Sequence, residues 1–124
     1  MAPRPLRVLI ADDDRLLAEL LAALVQATGH EVVAVETAGG LAVVQSWTRH
    51  QPDCILLDVM MPKLNGFTVA HHLRSRDPQA RIIFMSGLVQ EDYPSARHCR
   101  PDAWLNKPIT FDNLCQALTN LAAA

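Results

Sequence analysis

The sequence predicts an α/β domain with five parallel strands and with helices on both faces of the sheet. Short apolar runs rich in branched side chains alternate with segments whose apolar residues recur at three- and four-residue intervals. This alternation is typical of a parallel sheet, because each connection between parallel strands places a helix over one face. The length of 124 residues is close to the commonest domain size, so we expect one domain over 1–124, with its core at about 6–122.

Five runs have the length and composition of strands. The first, LRVLIA, lies between Pro5 and an acidic cluster, and the last, AWLN, is the shortest. Continuous apolar runs of this length are typical of strands that are buried on both faces. The predicted strands are 6–11, 31–36, 54–58, 81–86 and 103–106.

The predicted helices have start and stop signals. In the first helix, Asp14 is placed to cap the N-terminus and Gly29 to end the helix. Two further helices are predicted at 41–50 and 67–76, and Thr110 is placed to cap a last helix. The apolar residues at helical spacing in the first helix are Leu16, Leu17, Leu20, Leu21, Leu24 and Val25.

The connection between the fourth and fifth strands is less regular. The segment 88–101 contains Pro94 and Pro101, and proline inside a helix removes a backbone hydrogen bond. We therefore expect only a short helix of little more than two turns between these prolines.

Composition and charge argue against several kinds of partner and location. There are 11 basic and 13 acidic residues, a formal net charge of −2, and no basic run, which argues against direct nucleic-acid binding. The longest apolar stretch is interrupted by Glu19, so no membrane span is expected. The N-terminal residues MAPRPLR lack the apolar core of a signal peptide. Three cysteines without CxxC spacing, Cys54, Cys99 and Cys115, are typical of free thiols, so we expect a reducing, cytoplasmic location.

Polar and charged residues lie where four of the predicted strands end. In open parallel sheets, ligand sites collect at the carboxyl ends of the strands. Three carboxylates, one hydroxyl and one ammonium should therefore converge on one edge. These residues are Asp12 and Asp13 after the first strand, Asp58 at the end of the third, Ser86 at the end of the fourth, and Lys107 after the fifth.

This set of side chains suits phosphoryl transfer with a divalent cation. Three anions beside a single Lys leave a surplus of negative charge, and oxygen ligands suit a hard cation such as Mg²⁺. One carboxylate could then act as a nucleophile toward phosphorus, because aspartyl phosphates are an established kind of covalent intermediate. The cation, the Lys and the hydroxyl would neutralise and orient the phosphoryl oxygens.

Four segments resemble the signature segments of the bacterial response-regulator receiver domain of two-component systems. They are DD at 12–13, LLDVMMPKLNG at 56–66, FMSG at 84–87 and LNKP at 105–108. The resemblance extends from about residue 6 to residue 122, and the segments lie in order at the ends of the first, third, fourth and fifth strands. It implies a doubly wound, flavodoxin-like fold with strand order 2-1-3-4-5.

The resemblance also implies a role for each site residue. Asp58 is similar to the phosphoacceptor, and Asp13 to the direct Mg²⁺ ligand. Asp12 would assist through a water molecule, and Met60 would supply its backbone carbonyl. The implied phosphodonor is a histidine kinase or a histidine phosphotransfer protein, and the only catalysis expected is self-directed phosphotransfer and autodephosphorylation.

The resemblance also implies residues that contact the phosphoryl group, a cis peptide bond and residues of the switch. Ser86 and Lys107 match the residues that contact the phosphoryl group, and Pro108 matches a proline whose preceding peptide bond is cis. Trp104 lies at the position of an aromatic residue that changes rotamer on activation. We therefore expect an output surface formed by the short helix between the two prolines, the strand 103–106 and the last helix.

Besides the unusual short helix flanked by prolines, the sequence departs from the family pattern at two places near that surface. Gly87 lies where Ala is usual, and RPDA precedes Trp104 in place of a Gly-Ala-rich turn. The first change is small enough to leave the site accessible, whereas the second changes the start of the output surface.

The sequence disfavours two alternative functional classes, a flavin carrier and a phosphohydrolase. A flavodoxin-like flavin carrier needs a Ser-, Thr- or Gly-rich loop after the first strand to bind phosphate, and carboxylates there would repel one. A haloacid-dehalogenase-like phosphohydrolase uses a DxD motif after the first strand, whereas Asp58 follows the third and Met60 takes the place of the second carboxylate.

His71 and His72 are adjacent on a predicted helix and point about 100° apart, so we interpret them as helix surface.

Overall fold

The five apolar runs form one parallel sheet in a computed structural model that describes residues 4–61, 64–88 and 99–123. The strands of this sheet are β1 Arg7–Ala11, β2 Glu31–Glu36, β3 Cys54–Asp58, β4 Arg81–Ser86 and β5 Ala103–Asn106. Their order in the sheet is β2-β1-β3-β4-β5, which confirms the predicted fold class and strand order. Every residue of the central strand β3 is buried, whereas the edge strands β2 and β5 are partly exposed.

The residues that were predicted to cap or end helices do so in the structure. A carboxylate oxygen of Asp14 accepts from the Leu17 N–H at 3.1 Å, and the Thr110 hydroxyl oxygen accepts from the Asn113 N–H at 3.1 Å. Gly29 has φ of 92°, the left-handed conformation that ends a helix. The helices in the described ranges are α1 Arg15–Ala27, α2 Gly40–His50, α3 Gly66–Arg76 and α4 Phe111–Ala123, so two of them begin one residue earlier than predicted.

The core consists of one apolar cluster on each face of the sheet. Trp47 on α2 is buried in the cluster that α2 and α3 cover, whereas α1 and α4 cover the other face. On α1, Leu21 and Val25 are buried, but Leu16 and Leu20 are 77% and 55% exposed. The periodic apolar run thus correctly indicates a helix, although only part of the run faces the sheet.

The start of α3 lies close against the end of β3. The Gly66 N–H donates to the Val59 carbonyl at 2.7 Å. A Cβ at residue 66 would lie 2.8 Å from the Asp58 carbonyl oxygen and from the Val59 Cα, so glycine is required for this close approach. The Asn65 side chain caps α3 by accepting from the Phe67 N–H at 2.9 Å.

The unusual RPDA sequence fixes the start of β5. The Asp102 carboxylate accepts from the Ile82 N–H at 2.7 Å, and the Asp102 N–H donates to the Ile82 carbonyl at 2.9 Å. The Arg74 guanidinium of α3 donates to the same carboxylate at 2.9 Å and also to the Cys99 carbonyl. The short helix expected between Pro94 and Pro101 lies largely outside the described residues.

Two further sequence expectations concern thiols and membrane spans. Cys54, Cys99 and Cys115 are all free, the first buried and the other two partly buried. Within the described ranges, no helix has the length and apolar character needed to cross a membrane.

Candidate functional site

Three carboxylates meet at the carboxyl-end edge of the sheet. Asp12 and Asp13 follow β1, and Asp58 ends β3. Asp12 is fully buried and Asp58 is 5% exposed, whereas Asp13 is exposed. One carboxylate oxygen from each residue lies within 4.8 Å of the others, and in the described ranges this is the one cluster of His, Cys, Asp and Glu residues that could hold a metal ion.

The Lys107 ammonium joins two of these carboxylates. Its Nζ lies 2.9 Å from an oxygen of Asp12 and 3.2 Å from an oxygen of Asp58. Its position is set by the backbone, because the Lys107 N–H donates to the Ser86 carbonyl at 2.7 Å. The Lys107–Pro108 peptide bond is cis.

The charge balance of the site alters the proton affinity of its members. Burial and the neighbouring Asp12 carboxylate raise the pKa of Asp58 to about 6, although Lys107 and the Met60 N–H oppose this rise. Burial alone would lower the pKa of Lys107, but hydrogen bonds and charge attraction from Asp12 and Asp58 raise it overall. Burial and the nearby Asp12 carboxylate therefore destabilise the ionised form of Asp58. A bound cation would stabilise that form.

Ser86 ends β4 next to this cluster. Its side chain is buried, and its hydroxyl oxygen accepts from the Leu88 N–H at 3.0 Å. The Leu88 carbonyl in turn accepts from the side-chain amide of Asn106 at 2.8 Å and from the indole N–H of Trp104 at 3.3 Å. A short chain of hydrogen bonds thus connects Ser86 with two side chains of β5.

Trp104 lies against the apolar cluster under α3. Its ring stacks on Phe67 with centroids 6.4 Å apart and an interplanar angle of 20°. It also contacts Phe84, with centroids 5.7 Å apart. The Trp104 side chain therefore connects β5 to both β4 and α3.

The sequence-predicted residues are placed as follows. Asp12, Asp13, Asp58, Ser86 and Lys107 all lie at the same edge of the sheet. Met60 lies two residues after Asp58, and the Met60 N–H donates to the Asp58 carboxylate at 3.2 Å. His71 and His72 are exposed on α3, outside the metal-competent cluster.

Sequence reasoning missed Asn106 and Leu88. The alternation of side chains along a strand offered one signal, because it places residues 104 and 106 on the same side of β5. No sequence signal indicates that the Leu88 carbonyl turns toward both side chains, because that depends on the conformation of the backbone after β4.

A family model described as the response regulator receiver domain matches residues 8–119. This chain therefore belongs to the response regulator receiver domain family, whose members are signalling switches that interact with kinases, phosphotransfer proteins and output partners. The assignment agrees with the parallel sheet and with the acidic cluster at its edge.

Relatives and solved structures support the assignment over nearly the whole chain. The chemotaxis protein CheY of Bacillus subtilis (strain 168) is 30% identical over 113 residues, which cover 90% of this chain and 93% of CheY. The signal receiver domain of a modulated diguanylate cyclase from Desulfovibrio desulfuricans G20 has a TM-score of 0.84 and 28% identity, with 96% of this chain and 94% of that chain covered.

Another solved structure, the CheX-CheY-BeF3-Mg complex from Borrelia burgdorferi, shows the same fold with a TM-score of 0.86 and 23% identity, over 94% of this chain and 89% of that chain. The chain also matches transcriptional regulatory proteins, of which it spans about half the length.

Proposed function

We propose that this chain is a phosphoacceptor switch in which Asp58 accepts a phosphoryl group from a phosphohistidine. The phosphodonor is a histidine kinase or a histidine phosphotransfer protein, and we expect the exchange to occur in the cytoplasm. The observation that carries the proposal is the Lys107 ammonium, 3.2 Å from the Asp58 carboxylate, at an edge where two further carboxylates converge. A nucleophile, a fixed cation and a site for a second cation are the parts that phosphoryl transfer requires.

The transfer step follows from the charges of these groups. With a pKa of about 6, the Asp58 carboxyl is largely ionised at neutral pH, so one of its oxygens can attack phosphorus without losing a proton. A P–O bond forms as the P–N bond of the phosphohistidine breaks. The imidazole keeps the electron pair of that bond and leaves as a neutral ring when its other nitrogen already carries a proton.

Lys107 and Ser86 would stabilise the transferred group. The ammonium of Lys107 neutralises part of the phosphoryl charge, and the Ser86 hydroxyl donates to a phosphoryl oxygen. Charge-assisted hydrogen bonds of this kind are roughly twice as strong as neutral ones. Both side chains lie at the strand ends beside Asp58. The hydrogen bond from the Lys107 N–H to the Ser86 carbonyl keeps the two residues together.

The donor set fits Mg²⁺, which is bound by hard oxygen ligands. Asp13 and Asp58 would bind it directly with the Met60 backbone carbonyl, and Asp12 would assist through a water molecule. When bound, Mg²⁺ would neutralise phosphoryl charge and lower the repulsion among the three carboxylates. Asp12 retains its contact with Lys107, which holds the buried carboxylate in place.

Phosphorylation would change the output surface through Ser86 and Trp104. As the Ser86 hydroxyl moves toward the phosphoryl group, the Leu88 backbone that is bonded to it should move too, together with the Trp104 indole. The proposed output surface comprises the predicted short helix before Pro101, β5 and α4. The chain would then act as a switch, catalysing only its own phosphorylation and dephosphorylation.

The test is intact-mass spectrometry after incubation with Mg²⁺ and acetyl phosphate, a small phosphodonor. Wild type should gain one base-labile phosphoryl group, and Asp58→Asn should gain none. Lys107→Ala should be labelled more slowly, because it removes the fixed counter-cation. Asp53→Asn is the matched control, since Asp53 precedes the opposite end of β3, and it should be labelled like wild type. Full labelling of Asp58→Asn would refute the assignment.

A further inference from the structure

The Asn106 side chain has a hydrogen bond that the phosphoacceptor chemistry described above does not use. Its amide donates to the Leu88 carbonyl at 2.8 Å. The N–H of the same residue, Leu88, donates to the Ser86 hydroxyl oxygen at 3.0 Å. Asn106 is therefore connected to Ser86 through the backbone of a single residue.

Strand register explains why residue 106 can reach this position. Ser86 and Asn106 are partners in the parallel pairing of β4 with β5, at the last paired position of both strands. Trp104 lies two residues earlier on the same side of β5 and donates to the same Leu88 carbonyl at 3.3 Å. A carbonyl oxygen has two lone pairs, so both donors can be accommodated.

We propose that Asn106 is a positioning residue for phosphoryl transfer, which orients the Ser86 hydroxyl by holding the Leu88 backbone. Because the Ser86 hydroxyl oxygen accepts from the Leu88 N–H, the position of the Leu88 backbone restricts the directions in which the single hydroxyl hydrogen can point. This inference rests on the proposed function, because it takes Ser86 as a donor to the phosphoryl group on Asp58.

The side chain at residue 106 must carry a donor for this role. Asn106→Leu keeps a similar size and removes the amide, so the Leu88 carbonyl loses its shorter hydrogen bond. The loss of one neutral hydrogen bond in the transition state slows a reaction by about two- to tenfold. Because the Asn106 side chain is exposed, thermal stability should change little.

The experiment measures the rate at which acetyl phosphate labels Asp58, by intact mass, in wild type and Asn106→Leu. The rate should fall by about two- to tenfold in Asn106→Leu. The matched control is Asn120→Leu on α4, an exposed asparagine without this contact, which should react at the wild-type rate. The labelling rate of Ser86→Ala is then compared with that of the double variant Ser86→Ala, Asn106→Leu. The two rates should be equal, because the hydroxyl that Asn106 orients is absent from both proteins.

The outcomes separate the two proposals. An equal rate in wild type and Asn106→Leu would overturn the positioning role. An equal slowing by Asn106→Leu with and without the Ser86 hydroxyl would also overturn it, because a general structural defect acts in both backgrounds. Failure of wild type to become labelled at all would instead overturn the proposed function.

Discussion

Three adjacent carboxylates after β1 occupy three different environments. Asp12 is buried and paired with Lys107 at 2.9 Å. Asp13 is exposed beside Asp58 in the metal-competent cluster, and Asp14 accepts the Leu17 N–H as the cap of α1. Each role is a different way of offsetting the repulsion between neighbouring anions, which is about 4 kcal/mol at 4 Å near a protein surface.

This division of roles predicts different responses to Mg²⁺. Millimolar Mg²⁺ should raise the melting temperature of wild type, because a ligand that binds only the folded state stabilises it, by about 1.4 kcal/mol at ten times its Kd. Asp13→Asn should abolish the rise, whereas Asp14→Asn should retain it, because asparagine also caps helices well. Differential scanning calorimetry with and without Mg²⁺ provides the measurement. An undiminished rise in Asp13→Asn would contradict the proposed ligand set.

Most of the candidate site could be predicted from residue positions alone. Four of its residues lie at or directly after the ends of strands: Asp12, Asp58, Ser86 and Lys107. A parallel sheet brings the carboxyl ends of its strands to one edge, whatever the conformations of the loops. The Asn106 contact could not be predicted, because it depends on where a single backbone carbonyl points after β4.

At the scale of elements, Asp53 ties β1 to the start of β3, at the edge of the sheet opposite the acidic cluster. Its carboxylate accepts from the Arg7 N–H at 2.8 Å and from the Arg4 guanidinium at 2.8 Å. Its own N–H donates to the Arg7 carbonyl at 2.8 Å. Burial raises the pKa of Asp53, but the Arg7 N–H bond and the Arg4 charge outweigh this effect and lower the pKa below its usual 3.8.

The lowered pKa of Asp53 predicts a pH-dependent contribution to stability. The ionised carboxylate stabilises the fold fully above its unfolded-state pKa, and this contribution is lost as the pH falls through the lower folded-state pKa. Asp53→Asn should therefore be less stable than wild type by about 1 kcal/mol at pH 7. Urea unfolding at a series of pH values should show this difference shrinking below about pH 4. A difference that stays constant down to pH 2 would show that the charge of Asp53 contributes nothing.

Elements were easier to predict than the faces they bury. The apolar periodicity of α1 correctly predicted a helix, yet Leu16 and Leu20 are exposed, while Ala18 is fully buried. Periodicity indicates which residues share a face, but the sheet decides which part of that face it covers, and small residues allow the closest approach. Conversely, the sequence shows that RPDA departs from the family pattern, but only the structure shows that Asp102 accepts hydrogen bonds from Arg74 and Ile82.

At the scale of the whole molecule, the proposed switch links the acidic edge to the α3 side of the sheet. Leu88 connects Ser86 to Trp104, and the Trp104 ring packs on Phe67 of α3. Packed interiors favour discrete alternative arrangements, so a small displacement at Ser86 can change the surface around β5.

Trp104 should report this change by fluorescence. Trp47 and Trp104 are the only tryptophans, so Trp47→Phe leaves one emitter. In that variant, Mg²⁺ and beryllofluoride, a phosphoryl mimic, should shift the emission when added together, because the indole is bonded to the Leu88 carbonyl. Neither addition alone should do so. An unchanged spectrum, with binding of the mimic confirmed by calorimetry, would show that Trp104 is a fixed packing residue.

Mapping of the modified residue tests whether Asp58 is the phosphoacceptor. After labelling with acetyl phosphate, borohydride reduces an aspartyl phosphate to homoserine, which tandem mass spectrometry locates within a tryptic peptide. The peptide 50–63 contains both Asp53 and Asp58, and the peptide 8–15 contains the three carboxylates after β1. Homoserine should be found at residue 58 alone. Homoserine at residue 12, 13 or 53, with residue 58 unchanged, would show that Asp58 is not the phosphoacceptor.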